Sequence, residues 1–169
     1  MRVLAVDLGI HTGLALAEPG VRPRISCFDI PYPARDLGSV GIYFEEKMSE
    51  KIARAKPDVI VRATRFINRH SQPIAIGPVF GLSMVLDVMA QRRRIEHCER
   101  AESDARKAFL GKVPRKSKDI KAAVRAACMQ RQFPVHDQHS CDAIVMAVFE
   151  LSLRVPSYAV SSTPLFAEA

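Results

Sequence analysis

The chain has no C-x-x-C pair, no apolar run of membrane-spanning length, no internal repeat and no low-complexity tract. Each absence narrows the field. Cys27, Cys98, Cys128 and Cys141 are widely spaced, which argues against a structural zinc site or a disulfide framework and for free thiols in a reducing compartment. Without about 18 consecutive uncharged apolar residues, no helix is expected to cross a bilayer. The apolar start Val3-Leu4-Ala5-Val6 is cut by Asp7 and lacks the design of a cleavable signal. A cytoplasmic protein with no membrane partner is the expectation.

What is present suits one domain. The 169 residues are 48% hydrophobic, enough for a core of their own. Lys plus Arg number 25 against 18 Asp plus Glu, a net charge of +7. That balance suits a polyanionic partner without establishing one.

Apolar patterning gives the element order. Residues 2–8 read as a strand ending at Asp7, then Gly9 and Gly13 turn the chain into a second strand at Leu14–Ala17, with a third at Arg24–Phe28. Beyond the prolines at 31 and 33, Val40, Phe44, Met48, Ile52 and Ala55 mark a helix over 39–55, ended by Pro57. Asp58-Val59-Ile60-Val61 reads as a buried central strand leading to a polar loop, Thr64–Gln72. A helix over about 78–92 follows, apolar on more than one stripe, which suggests service to both the core and a partner subunit. Next come a strand at Arg94–Cys98 and helices near 101–110, near 118–130 behind a Ser117 cap, and over 139–153. A meander followed by alternating helix and strand predicts an α/β domain, a mixed central sheet flanked by helices, over residues 1–155, with 156–169 a loosely held tail.

Two strings carry chemistry. Asp7-Leu8-Gly9-Ile10-His11-Thr12-Gly13 ends a strand with a carboxylate and supplies glycines for a chain reversal. The same shape serves as a phosphate motif in actin-like sugar kinases, or as nothing more than a hairpin turn. His139-Ser140-Cys141-Asp142-Ala143 opens the last helix, where side chains at i and i+3 share a face. The plainer reading makes Asp137 or His139 a helix N-cap and Asp142 a solvated charge.

Together, and in this order, the two strings resemble the opening strand and closing helix of the RuvC-like Holliday junction resolvases, a branch of the ribonuclease H-like superfamily. The kinase reading is weaker, since a second nucleotide-enclosing domain and a Gly-rich adenosine motif are missing; no nucleotide cofactor is expected. The resemblance implies that Asp7, His139 and Asp142 are metal-binding and catalytic, a hard oxygen and nitrogen set suited to Mg²⁺ or Mn²⁺. It further implies two ions per active site, one activating water and one stabilising the leaving 3′ oxygen, with a 5′ phosphate and a 3′ hydroxyl as products.

One position departs from the pattern. Ala63 stands where the resemblance expects a metal-binding Glu, and Glu18, Glu45 and Glu46 are not placed to replace it. Either the natural protein has lost a ligand, or the chain carries a Glu-to-Ala change at 63; retention of Asp7, His139 and Asp142 favours the second. Either way, weak cleavage is expected.

Phe66 matches a family aromatic that stacks on unpaired bases, flanked by Arg65, Arg69 and His70. Its alternative is core packing at a strand end. A second basic cluster, Arg106, Lys107, Lys112, Arg115, Lys116, Lys118 and Lys121, looks like the family's phosphate-contacting segment. The triple Arg92-Arg93-Arg94 suits a helix C-terminus. The expectation is a crossover junction endodeoxyribonuclease, a homodimer that nicks four-way or other branched DNA in pairs. The alternatives are a non-catalytic branched-DNA-binding protein on the same fold and, more weakly, an RNA-directed hydrolase.

Overall fold

The computed structural model describes residues 1–31, 36–64 and 73–158, with side chains from 78 onward in the third segment. Five strands form one mixed sheet in the order β3-β2-β1-β4-β5. β1 (Val3–Asp7), β2 (His11–Glu18) and β3 (Val21–Asp29) make the antiparallel meander, while β4 (Val59–Ala63) and β5 (Glu96–Arg100) add in parallel. The remaining elements are α1 (Leu37–Ala55), α2 (Pro73–Arg92), α3 (Glu102–Leu110), α4 (Ser117–Gln130) and α5 (Gln138–Arg154).

Strand alternation divides the core into two halves. Leu4, Val6, Leu14, Leu16 and Ile60 face α1 and α2, where they meet Phe44, Met48, Leu82 and Leu86. Val3, Ala5, Ala15, Ala17 and Val61 face α3, α4 and α5. The α5 face is built from small residues, and α5 answers with buried Ala143 and Ala147. Small side chains on both surfaces let helix and sheet approach closely. Gly13 extends this row: a Cβ there would lie 2.4 Å from the carbonyl carbon of His139. The start of α5 is thereby pressed against the ends of β1 and β2.

The turn between β1 and β2 is closed by Thr12, fully buried, whose Oγ1 donates to the Gly9 carbonyl at 2.7 Å. α5 begins with a capping box in which Asp137 accepts from Ser140 N at 2.7 Å and Ser140 Oγ accepts from Asp137 N at 3.2 Å. Glu150, wholly buried on α5, accepts from Arg100 Nε at 2.6 Å and from Arg154 Nε at 2.5 Å, tying β5 to α5. On the other face Arg62 donates to Asp87 at 3.2 and 2.8 Å, tying β4 to α2.

Several boundaries differ from expectation. β3 is longer than Arg24–Phe28. β5 sits two residues later than Arg94–Cys98, because Arg94 adopts a left-handed backbone at φ 55 after α2. As an edge strand β5 is mostly polar, which hides its alternation. α2 begins at Pro73, with Pro78 inside it. Ser117 is not a cap: it is already helical, and Lys116 occupies the cap position without a side-chain bond. Tyr158 packs on the α5-side core, while residues 159–169 lie outside the described residues.

Candidate active site

Asp7 ends β1 on the α5 face, in the Val3 and Ala5 row. Its Oδ2 lies 2.7 Å from Nδ1 of His139, the second residue of α5. That hydrogen bond raises the His139 imidazole above its ordinary value, against the effect of burial, and Asp137 and Asp142 add to the rise. His11, paired with Asp29 across β2 and β3, brings its ring within 6.1 Å of the His139 ring.

One turn along α5, Asp142 is far from a solvated charge, with 12% of its side chain exposed. Oδ1 accepts from Nη2 of Arg106 at 3.3 Å and Oδ2 from Nε2 of Gln138 at 3.1 Å. The same Arg106 Nη2 pairs with Glu102 at the start of α3. Burial pushes the Glu102 carboxyl above its usual range; Arg106 opposes this, and the negative charges of Asp142 and Asp7 reinforce it. Three carboxylates and an imidazole from β1, α3 and α5 therefore sense one another. The sequence reading does not single out Glu102, nor the pairing of Arg106 with carboxylates of α3 and α5.

The capping alternative is half right: Asp137 caps α5, which leaves His139 and Asp142 free to turn toward the sheet. Glu18 and Glu45 are engaged elsewhere, with Arg2 and Arg24 and with Arg92. Ala63 ends β4 on the α5 side of the sheet, half-buried against that core. Arg65, Phe66, Arg69 and His70 lie outside the described residues. Lys107, Lys112, Arg115, Lys116, Lys118 and Lys121 are all exposed along α3, the following loop and α4. Between β4 and this basic segment opens a cleft of about 560 Å³ lined by Thr64, Glu102, Arg106, Lys107 and Ile120 among others.

Among the described residues, no three His, Cys, Asp or Glu side chains stand as a ready-made metal cage. Asp7 is held by His139, and Asp142 by Arg106 and Gln138. The donors nonetheless fit a hard divalent ion in kind, being carboxylate oxygens with one imidazole. Arg106 supports the fit: its guanidinium stands between two carboxylates as a substitute cation, while its buried Nε has no hydrogen-bond partner among the described residues. A buried donor left unpaired costs about 1 to 3 kcal/mol, which offsets part of what the two carboxylate pairs contribute.

No family model matches the chain, and no curated protein matches it by sequence. Solved structures do match. A structure described as Thermus thermophilus RuvC in complex with Holliday junction substrate superposes with a TM-score of 0.69 and 18% identity, covering 91% of this chain and 96% of that one. The chain has the RuvC fold. Thermus thermophilus RuvC alone gives a TM-score of 0.67 at 18% identity, covering 92% of this chain and 97% of that one. The yeast mitochondrial Holliday junction resolvase Ydc2 gives 0.58 at 14% identity, over 86% and 75%. The RuvC-like sheet places Asp7 at the end of its central strand, with the start of α5 packed against it.

Proposed function

We propose that this chain is a divalent-metal-dependent endonuclease that nicks branched DNA, four-way junctions above all. The observation that carries the reading is the meeting of Asp7 and His139, 132 residues apart, with Asp142 one turn further along the same helix. The exposed cations of α3, α4 and their loop support a phosphate backbone as the ligand. The Holliday junction resolvases that share the fold suggest a junction as its source.

In this reading Asp7 and Asp142, with His139, hold Mg²⁺ or Mn²⁺. Such ions, when bound, lower the pKa of an attacking water and offset charge on the scissile phosphate. Lys107 and the cations from Lys112 to Lys121 fix the DNA backbone without reading sequence. Gln138 and the Asp137 cap orient the start of α5, so that His139 and Asp142 present one face to the phosphate. Paired cuts need two sites related by the junction's approximate two-fold axis, and hence a homodimer. Exposed Phe80, Met84 and Val88 on α2, opposite the buried Leu82, Leu86 and Met89, offer an apolar face for it.

Ala63 favours a second reading, a branched-DNA-binding protein that does not cut. If Asp7, His139 and Asp142 were the whole metal set, the second ion would be weakly held and cleavage slow. A gel assay on a synthetic four-way junction, with binding and nicking scored side by side in Mg²⁺, Mn²⁺ and EDTA, separates the two. Metal-dependent nicks support the nuclease. Tight binding with no nicks, even in Ala63→Glu, supports the binding protein. An RNA–DNA hybrid in a parallel lane tests an RNA-directed hydrolase.

A further inference from the structure

We infer that Glu102, the first residue of α3, supplies the metal-binding carboxylate that Ala63 lacks, completing the cation site with Asp7 and Asp142. The inference rests on the nuclease reading above and concerns which side chain of this chain finishes that site.

Topology brings the replacement to the right edge of the sheet. β4 and β5 run in parallel with Ala63 paired to Arg100, and Thr64 N donates to the Arg100 carbonyl at 2.8 Å. Glu102 follows Arg100 by two residues, so it leaves the sheet at the same end as position 63. Arg100 is fixed there by the buried Glu150, at 2.6 and 3.1 Å.

Side-chain placement agrees. Nη2 of Arg106 contacts both Glu102 Oε1 and Asp142 Oδ1. Two carboxylate oxygens that share one nitrogen are close enough for a single divalent ion, binding oxygen at about 2.0 to 2.6 Å, to bridge with small rotamer changes. The cleft of about 560 Å³ is lined both by Thr64, the neighbour of Ala63, and by Glu102 and Arg106, so Glu102 opens onto the same space as the end of β4. The electrostatics concur, since Glu102 is influenced by both Asp142 and Asp7.

The plain alternative is a helix-start acid complementing the α3 dipole and pairing with Arg106 four residues on. Asp104 in the same first turn already serves the dipole. An ordinary surface pair would have no need of the mostly buried Asp142 as a third member.

The test is Mn²⁺ binding to the intact protein, measured by isothermal titration calorimetry without DNA. The variants are Glu102→Gln, Asp7→Asn, Ala63→Glu and the double variant Ala63→Glu/Glu102→Gln, each checked by thermal melt. We expect Glu102→Gln to weaken Mn²⁺ binding by about 10-fold or more, a loss seen even when only a neighbour of a metal ligand is removed. The double variant should recover most of that loss, which an unfolded or merely destabilised protein would not do. Wild-type affinity in Glu102→Gln, alongside lost binding in Asp7→Asn, overturns the role of Glu102 and leaves the nuclease reading standing. No Mn²⁺ binding by wild type or by Ala63→Glu overturns both.

Discussion

Gly13 lies so close to His139 that a single added methyl group would overlap the helix backbone, at 2.4 Å from the His139 carbonyl carbon and 2.5 Å from its oxygen. Backbone cannot swing aside as a long side chain can. Gly13→Ala should therefore push α5 off the sheet, costing about 1 to 3 kcal/mol and a few degrees of melting temperature. It should also separate His139 from Asp7. An unchanged melt would show that the two elements are not in contact here.

The Asp7 and His139 pair makes a pH prediction. Its hydrogen bond raises the folded imidazole, so the stability it contributes is fully present below the unfolded value of 6.5 and fades as pH rises through the folded one. Titration of His139 by NMR in EDTA should show a midpoint above 6.5, and Asp7→Asn should bring it down. Equal midpoints in both proteins would deny the pairing.

Glu150 is wholly buried between Arg100 and Arg154. Changing both arginines to Met would strand a buried charge and should cost about 3 to 5 kcal/mol in urea unfolding. Glu150→Leu removes the charge itself and leaves both arginines partly exposed, so it should cost less. The reverse ranking would contradict the burial of Glu150.

The exposed cations predict strong salt dependence. Each of Lys107, Lys112, Arg115, Lys116, Lys118 and Lys121 that touches a phosphate adds about 0.9 to the slope of log affinity against log salt. Lys116→Ala/Lys118→Ala should lower that slope by nearly 2 and weaken linear duplex and junction alike. An unchanged slope would move the DNA to another surface.

Much of the architecture was legible because apolar periodicity is a direct consequence of burial. Val3 and Ala5 face one side of the sheet and Leu4 and Val6 the other, as strand residues must, and Val40, Phe44, Met48 and Ile52 recur as a helix face must. Asp7 and Asp142 stood out as carboxylates set at the ends of such runs. Glu102 did not, since an acid at a helix start is commonplace, and it is the parallel pairing of β4 with β5, Ala63 opposite Arg100, that brings it to the same end of the sheet as position 63. Arg106 illustrates a related limit: sequence records a cation but not the carboxylates it faces across α3 and α5. The bounds of β5 are hard to read because an edge strand with exposed Glu96, His97 and Glu99 has little alternation.

The proposed function has this chain cut branched DNA with a divalent ion that Asp7 and Asp142 would hold. Its most direct test incubates a 5′-labelled four-way junction with wild type, Asp7→Asn and Asp142→Asn across a Mg²⁺ titration and maps the strand ends. The account predicts paired nicks on opposite strands bearing a 5′ phosphate, rising with Mg²⁺ in wild type and lost in both variants while junction binding persists. Nicks that survive in EDTA, or in either variant, would contradict it.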